Sequence, residues 1–288
     1  MIAVWKREIS AYYKSVTGWL LGAFLLIFAG IYCMAYNLSG YSAKFAYVLS
    51  HCSFIYLIAV PIISMRALAE EKRQRTDQLL YSLPIRLSDV VMGKYFGMLT
   101  VLAFPMLILA TYPLILSQYG TMEFASAYAA LFAFFLLGAC LLSIGLFISS
   151  VTESQVTSAV ITLVVMLLLY FMKALASYVS TEASASLIAL IILVVIFAGI
   201  LQLMAKNAIV SVGVGVLGIG GLYIWYSADS SAFSGLFSSM MESISVFERF
   251  DTFVDGVFDL TAVVYYLSII CVFLFLTVQS MEKRRWNE

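Results

Sequence analysis

Residues 70–94 read EEKRQRTDQLLYSLPIRLSDVVMGK, and they form the only long charged segment of the chain. A hydrophobic run leads into this stretch and another follows it. Apolar residues make up 63% of the 288-residue chain and charged residues only 11%, which is less than half of the ~25% charge of a typical soluble domain. The composition therefore indicates a chain embedded in a membrane, with residues 70–94 as its main polar loop.

A helix that crosses a bilayer needs ~20 predominantly apolar residues. On this criterion the sequence predicts an all-α polytopic membrane protein, with residues 1–288 as a single transmembrane domain. Eight candidate spans run over residues 16–36, 51–69, 94–117, 124–149, 156–176, 187–204, 208–226 and 261–281. Lys206-Asn207 is the only polar break between the sixth and seventh segments, so six spans is the alternative.

The distribution of basic residues predicts the orientation of the chain. If the N-terminus is cytoplasmic and the spans alternate, only Lys44, Lys173 and Arg249 of the 16 Lys and Arg residues lie on the outer side. Cytoplasmic loops of membrane proteins carry an excess of Lys and Arg. We therefore predict that both termini and residues 70–94 are cytoplasmic. The net charge of zero gives no reason to expect a nucleic-acid partner.

The first 15 residues have the pattern of an amphipathic helix. Ile2, Trp5, Ile9 and Tyr12 or Tyr13 fall on one helical face, whereas Lys6, Arg7 and Glu8 lie largely off it. A basic helix with such an apolar face typically lies in the membrane interface. We expect an interfacial helix before the first span, in which Trp5, Lys6 and Arg7 meet the headgroup region.

The outer segment 227–260 is too polar to span a membrane. Its second half alternates aromatic and acidic residues with helical spacing, which predicts an amphipathic surface helix. The residues expected to form its two faces are Glu248, Phe250, Asp251, Phe253, Asp255 and Asp259, with Phe247, Val254 and Val257 or Phe258 on the apolar side. The acidic face is either simply solvated or a docking surface for an external partner or substrate.

Catalytic and metal-binding motifs are missing from the sequence. Gly93-Lys94 is followed by Tyr95 rather than by Ser or Thr, and no P-loop occurs elsewhere. No predicted span has a charged residue near its centre, which disfavours a proton or ion relay. The single histidine, His51, cannot form a metal site alone. We therefore expect no bound cofactor or metal, and energy must come from another protein.

The four cysteines all lie in apolar segments, without metal-ligand spacing, and we interpret them as small buried hydrophobic residues. Cys33 and Cys52 are predicted to end near the same membrane face, which allows a disulfide between them.

The polar loop itself has a helix signal. Thr76 can cap a short helix over residues 77–83, which Pro84 then ends. An apolar face on such a helix can insert into a groove of another protein. The residues predicted to contact a soluble partner are Arg73, Arg75, Thr76, Asp77, Leu79, Leu80 and Leu83. The alternative is an ordinary basic loop that meets anionic lipid headgroups.

Two parts of the sequence resemble permease subunits of ABC-2 type transporters. Residues 70–85 contain an acidic pair, basic residues, a Thr-acid-x-Leu-Leu run and Leu-Pro, in the order found after the second span of those proteins. The C-terminal quarter is similar to the gliding-motility and copper-enzyme-maturation branch. The residues that carry this second resemblance are Phe247-Glu248-Arg249-Phe250-Asp251-x-Phe253, Gly256, Asp259-Leu260, Val264-Tyr265-Tyr266-Leu267-Ser268 and Arg284-Arg285-Trp286.

This resemblance implies a non-catalytic transmembrane subunit of the bacterial cytoplasmic (inner) membrane. It implies an ABC ATP-binding subunit as partner, which binds ATP and Mg, and a second permease copy or paralogue. Residues 70–94 would contain the coupling helix, beside the N-terminal amphipathic helix. Eight predicted spans depart from the six that are common in ABC-2 exporters.

On this basis we expect an ATP-driven permease that exports a lipid-like or amphiphilic substrate. The alternative is a membrane subunit that transports nothing and transmits an ATPase-driven mechanical signal to an auxiliary envelope protein through the outer segment.

Overall fold

The computed structural model describes residues 1–40, 44–74, 86–205 and 208–287. Over these ranges the secondary structure is helical, and we number the α-helices in chain order. The first seven are α1 Ile2–Lys14, α2 Val16–Cys33, α3 Ala46–Cys52, α4 Tyr56–Ser64, α5 Ala69–Arg73, α6 Leu87–Leu109 and α7 Tyr112–Leu116. The other seven are α8 Phe124–Val151, α9 Gln155–Tyr178, α10 Ala183–Ala205, α11 Ala208–Ala228, α12 Leu236–Ile244, α13 Glu248–Val254 and α14 Leu260–Asn287.

The polytopic all-helical fold predicted from the sequence is confirmed. In the described ranges, six segments are long and apolar enough to cross a membrane: Val16–Leu38, Ala46–Arg73, Leu87–Leu116, Phe124–Val151, Gln155–Tyr178 and Leu260–Arg285. The predicted sixth and seventh segments are also helices, α10 and α11. Their apolar stretches Ala183–Ile196 and Val212–Ala228 are shorter than the other six.

The chain forms two compact units. The first comprises residues 1–170 and 246–288, and the second comprises residues 171–245.

The first unit is built around α8. In the most apolar 18-residue stretch of α8, 78% of the residues are buried, whereas only 28% are buried in the corresponding stretch of the first span. Small residues let neighbouring helices approach it closely: a Cβ at Gly138 would lie 2.8 Å from the Tyr56 hydroxyl. That hydroxyl donates to the carbonyl of Phe134 at 2.8 Å, so the one polar atom of a fully buried side chain is satisfied.

The second unit contains a helical hairpin of α10 and α11. A Cβ at Gly218 would lie 2.8 Å from Val194 Cγ1, so the absence of a side chain lets the two helices pack closely there. After α11 the chain turns at Gly235, whose φ of 71° lies in the left-handed region that glycine adopts without strain. The Gly235 amide donates to the carbonyl of Thr181 at 3.0 Å.

All four cysteines are free thiols, so the disulfide that the sequence allowed between Cys33 and Cys52 is not formed. Cys33, Cys52 and Cys140 are buried in the first unit and pack as hydrophobic groups, as predicted. Cys271 is exposed, so the prediction of a buried side chain is wrong for this residue.

Candidate functional site

Four charged side chains from three helices meet at the end of the second span, and we name Arg7, Glu8, Glu71 and Lys94 the charge cluster. Lys94 Nζ lies 3.0 Å from Glu8 Oε1 and 2.9 Å from Glu71 Oε1. Arg7 Nη2 lies 2.6 Å from the same Glu71 oxygen and 3.3 Å from Glu8 Oε1. The cluster therefore holds two cations and two anions and joins α1, α5 and α6.

Lys94 is the buried centre of the cluster, with its side chain 2% exposed. Its ammonium group has three donors. Two point to the carboxylates of Glu8 and Glu71, and the third donates to the carbonyl of Ala67 at 2.6 Å. A buried charge is tolerated only when it is paired and its hydrogen bonds are satisfied, and both conditions are met here.

Two glycines on α6 bring α1 into contact with the cluster. A Cβ at Gly93 would lie 2.9 Å from Val4 Cβ, and a Cβ at Gly97 would lie 2.7 Å from Glu8 Cβ. A side chain at either position would collide with α1 and displace it from α6, and so move the carboxylate of Glu8 away from Lys94. The pair Gly93-x-x-x-Gly97 therefore fixes the position of the first helix.

The second span is broken just before the cluster. The Ala67 amide donates to Ser64, three residues back, so the regular helical pattern ends there. The Tyr12 hydroxyl of α1 donates to the carbonyl of Ile63 at 2.8 Å in this region. Burial raises the pKa of Tyr12, and the nearby carboxylate of Glu8 raises it further, so the phenol stays protonated as a donor.

The helix that follows the break, α5, is held by α8. The Ser149 hydroxyl accepts from the amides of Leu68 and Ala69 at 3.1 and 3.0 Å, and so satisfies donors that a helix start leaves open. Lys72 is also buried and donates to the carbonyls of Ser150 and Thr152, the latter at 3.3 Å. One side of α5 is thus anchored to the end of the fourth span.

A third connection leads from α5 to the first span. Arg66 Nε pairs with Glu70 Oε2 at 3.1 Å, and Arg66 Nη1 donates to Thr17 Oγ1 at 2.9 Å. Because α5 is bonded to α1, α6, α8 and α2, its displacement would be passed to four other helices. Residues 75–85 follow directly after it.

The residues predicted to contact a soluble partner lie at and beyond the end of α5. Arg73 is the last residue of α5 and is exposed. Arg75, Thr76, Asp77, Leu79, Leu80 and Leu83 lie outside the described residues, and their role stays a prediction. Within the ranges described above, no group of His, Cys, Asp and Glu side chains could hold a metal ion.

The sequence predicted the N-terminal helix but not which face it buries. Of the predicted apolar line only Tyr12 is buried, together with Val4 and Glu8, which lie off that line. Trp5 is half-buried and donates to Thr100 Oγ1 at 3.0 Å, whereas Lys6 is exposed and Arg7 belongs to the charge cluster.

Lys94 also differs from the expectation. The third span is predicted to run over residues 94–117, which places Lys94 at the membrane interface. That span begins earlier, at Leu87, so Lys94 lies inside the helix and is held by two carboxylates.

The predicted outer helix exists but is shorter than expected. It runs over Glu248–Val254 and ends because Gly256, with a φ of 87°, takes the left-handed conformation typical of a helix end. Phe250 and Phe253 are buried, and Asp251 and Asp255 are exposed.

Four of the residues assigned to that helix lie beyond its last residue, Val254: Asp255, Val257, Phe258 and Asp259. Val257 and Phe258 are exposed, at 60% and 58%, rather than part of a buried apolar face. Asp259 is not part of an acidic stripe; its carboxylate accepts from the amide of Thr261 at 2.8 Å and caps α14. Glu248, the first residue of α13, is half-exposed.

Sequence reasoning missed Glu8, Glu71 and Lys94 as a cluster. The available signals were the acidic pair Glu70-Glu71 in an otherwise basic loop, and a lysine between Gly93 and Gly97. Neither signal indicates which distant residues form ion pairs, because Glu8, Glu71 and Lys94 come together only in the folded chain.

Comparison with known proteins identifies the family. The sequence model of the ABC-2 family transporter proteins matches residues 2–277. No curated protein matches the chain. The finer resemblance to the gliding-motility and copper-enzyme-maturation branch is not supported by this match. Since the match covers nearly the whole chain, this protein belongs to the ABC-2 family of transporter proteins, as a non-catalytic membrane permease component of an ABC transporter.

Proposed function

We propose that this chain is the permease subunit of an ATP-driven exporter for a lipid-like or amphiphilic substrate. It resides in the bacterial cytoplasmic membrane with both termini cytoplasmic. A separate ATP-binding subunit, which holds ATP and Mg, docks on residues 70–94. A second permease copy or paralogue completes the transporter.

The charge cluster carries this proposal. The ammonium of Lys94 joins Glu71 of α5 to Glu8 of α1 and to its own helix α6, at distances of 2.9–3.0 Å. A partner that pushes on the loop between α5 and α6 would therefore move the second and third spans together with the first helix. This is the mechanical link that a subunit without its own ATPase needs.

The same link relates the ATPase cycle to the movement of the spans. ATP binding brings two ATPase subunits together, and the loops of the two permeases follow them. Because α5 is bonded to α8 through Ser149 and Lys72, the fourth span moves as well. Alternating access of the substrate path results from the rearrangement of these spans.

A lipid-like substrate is supported by the character of the spans. Their exposed side chains are largely apolar; Leu107 is 70% exposed and Phe275 is 62% exposed. The buried ammonium of Lys94 in α6 is engaged in the charge cluster and is not available to bind a polar solute. An amphiphile could approach such a surface from the bilayer.

A transport assay tests the proposal. The permease and its cognate ATP-binding subunit are reconstituted in liposomes with a fluorescent phospholipid analogue, and its movement between leaflets is followed with MgATP. We expect movement that needs both subunits and ATP hydrolysis. Hydrolysis without translocation of the phospholipid or of other amphiphiles would refute export.

A second function is favoured by one observation on the outer side. The short helix α13 is anchored through Phe250 and Phe253, which are 1% and 0% exposed, while Asp251 and Asp255 face outward. A rigidly held acidic surface is suited to contact with an auxiliary envelope protein. In that case the complex would transport no substrate, and the activity of its ATP-binding subunit would change when the external protein is added.

A further inference from the structure

An open apolar groove of about 540 Å³ lies between α1 and α6. Met1 together with Ile2 and Trp5 of α1 forms one wall, and α6 forms the other. The wall on α6 consists of Phe96, Leu99, Thr100 and Ala103, and Phe135 of α8 also contributes. Its volume is in the range of small-molecule sites, ~300–1,000 Å³. Ile2 and Trp5 of the apolar line predicted on α1 therefore face this groove rather than the protein core.

The floor of the groove offers no polar partner to a ligand. The indole N–H of Trp5 donates to Thr100 Oγ1 at 3.0 Å, and the Thr100 hydroxyl itself donates to the carbonyl of Phe96 at 2.7 Å. Both polar groups are thus used within the protein. A hydrocarbon chain fits such a lining, whereas a polar ligand would lose its hydrogen bonds with water there.

A positive charge lies beside the groove. Lys6 follows Trp5 and is one helical turn from Ile2, so its side chain starts next to the groove wall. It is exposed, and its helical neighbours Ala3, Ile9 and Ser10 are uncharged. In the described part of the chain it makes no ion pair, so its ammonium can bind an external anion.

We propose that this groove binds one acyl chain of an anionic phospholipid, whose phosphate pairs with Lys6. The site does not depend on which substrate the transporter moves. It places the lipid against α1 and α6, two of the three helices that the charge cluster joins, so an occupied groove supports the packing of α1 on α6. A zwitterionic phospholipid can fill the groove but presents no net negative charge to Lys6.

Quenching of Trp5 fluorescence by brominated lipids tests this site. Trp19→Phe, Trp225→Phe and Trp286→Phe leave Trp5 as the only tryptophan of the full chain. The purified protein is placed in phosphatidylcholine vesicles that contain increasing amounts of phosphatidylglycerol with brominated acyl chains, or of phosphatidylcholine with the same chains. The mole fraction that gives half-maximal quenching is measured for each lipid.

We expect brominated phosphatidylglycerol to act at about one-fifth of the mole fraction that phosphatidylcholine requires, the factor for one basic residue at an anionic lipid. Lys6→Gln should make the two lipids equal. The matched control Lys14→Gln, on the same helix but outside the groove lining, should keep the preference. Ala103→Phe should close the groove and weaken quenching by both lipids.

Three results would overturn the proposal. Equal quenching by the two lipids would exclude a headgroup site, and a preference that survives Lys6→Gln would assign the charge effect to another residue. Absence of quenching by either lipid would mean that protein, such as a second copy of the chain, covers the groove.

Discussion

Replacement of Lys94 by methionine should strongly destabilise the first unit. The side chain keeps most of its length, but the ammonium that joins Glu8 and Glu71 is lost. Removing one partner of a buried ion pair costs ~3–5 kcal/mol. Arg7 still lies 2.6 Å from Glu71 and 3.3 Å from Glu8 and offsets part of the loss, so we take the lower end, ~3 kcal/mol.

The assay is thermal unfolding of the detergent-purified protein, followed by the fraction that remains monodisperse after heating. At ~2–4 °C per kcal/mol, Lys94→Met should lower the midpoint by roughly 6–12 °C. Lys14→Met is the matched control, because Lys14 is exposed and outside the cluster. It should shift the midpoint by no more than ~1 °C, as expected for an exposed charge.

A double mutant separates the ion pair from general damage. Glu8→Gln in the Lys94→Met background removes one of the two carboxylates that have lost Lys94 and share only Arg7, so the double mutant should be more stable than Lys94→Met alone. Additive losses in the double mutant would show that Glu8 and Lys94 do not interact. A midpoint for Lys94→Met equal to that of Lys14→Met would refute the account of the charge cluster.

Three further substitutions test the packing around the site. Gly97→Leu should displace the N-terminal helix and lower the unfolding midpoint by several degrees, because even a Cβ would lie 2.7 Å from a neighbouring side chain. Gly120→Leu is the control, because no atom lies within 4 Å of a Cβ at that position. Equal shifts of the midpoint in the two variants would exclude the close contact at Gly97. Ser149→Ala removes the acceptor of two buried amides and should cost ~1–3 kcal/mol in thermal unfolding, so a neutral result would mean that another group caps the helix. Phe253→Ala should cost ~3–5 kcal/mol because its side chain is fully buried, whereas Phe258→Ala should be near neutral; similar losses for both would contradict the packing of the outer helix.

The helices of the fold could be predicted because a membrane span is a local property. Runs of apolar residues predicted starts at residues 124 and 261, and the structure places them at Phe124 and Leu260. The count of spans was harder to derive. Only Lys206-Asn207 separates two apolar runs, and hydrophobicity alone does not say whether such a pair of helices crosses the bilayer.

The charge cluster could not be predicted from the sequence, and the reason is physical. The sequence shows that Glu8 and Lys94 are charged and near span ends, where exposure to water is the usual outcome. Their burial depends on the mutual approach of α1, α5 and α6, which the glycines of α6 permit. Pairing of residues 8, 71 and 94 is thus a tertiary property.

The outer helix shows the opposite case. The period of Glu248, Asp251, Asp255 and Asp259 suggested one continuous acidic face, yet Gly256 in the same stretch is a typical helix end. Gly256 was therefore a local signal for the helix end, and it outweighs the helical spacing of the acidic residues. Because this glycine takes the left-handed conformation, the helix ends before Asp259.

Co-purification with the ATP-binding subunit tests the central claim most directly. The tagged permease is co-expressed with its cognate ATP-binding subunit, and the ratio of the two proteins is measured after detergent extraction. Charge reversal at Arg73 and Arg75, or Leu79→Asp with Leu80→Asp, should reduce the bound ATPase by at least tenfold while the permease still inserts into the membrane. Undiminished binding in both variants would contradict the assignment of residues 70–94 as the docking site.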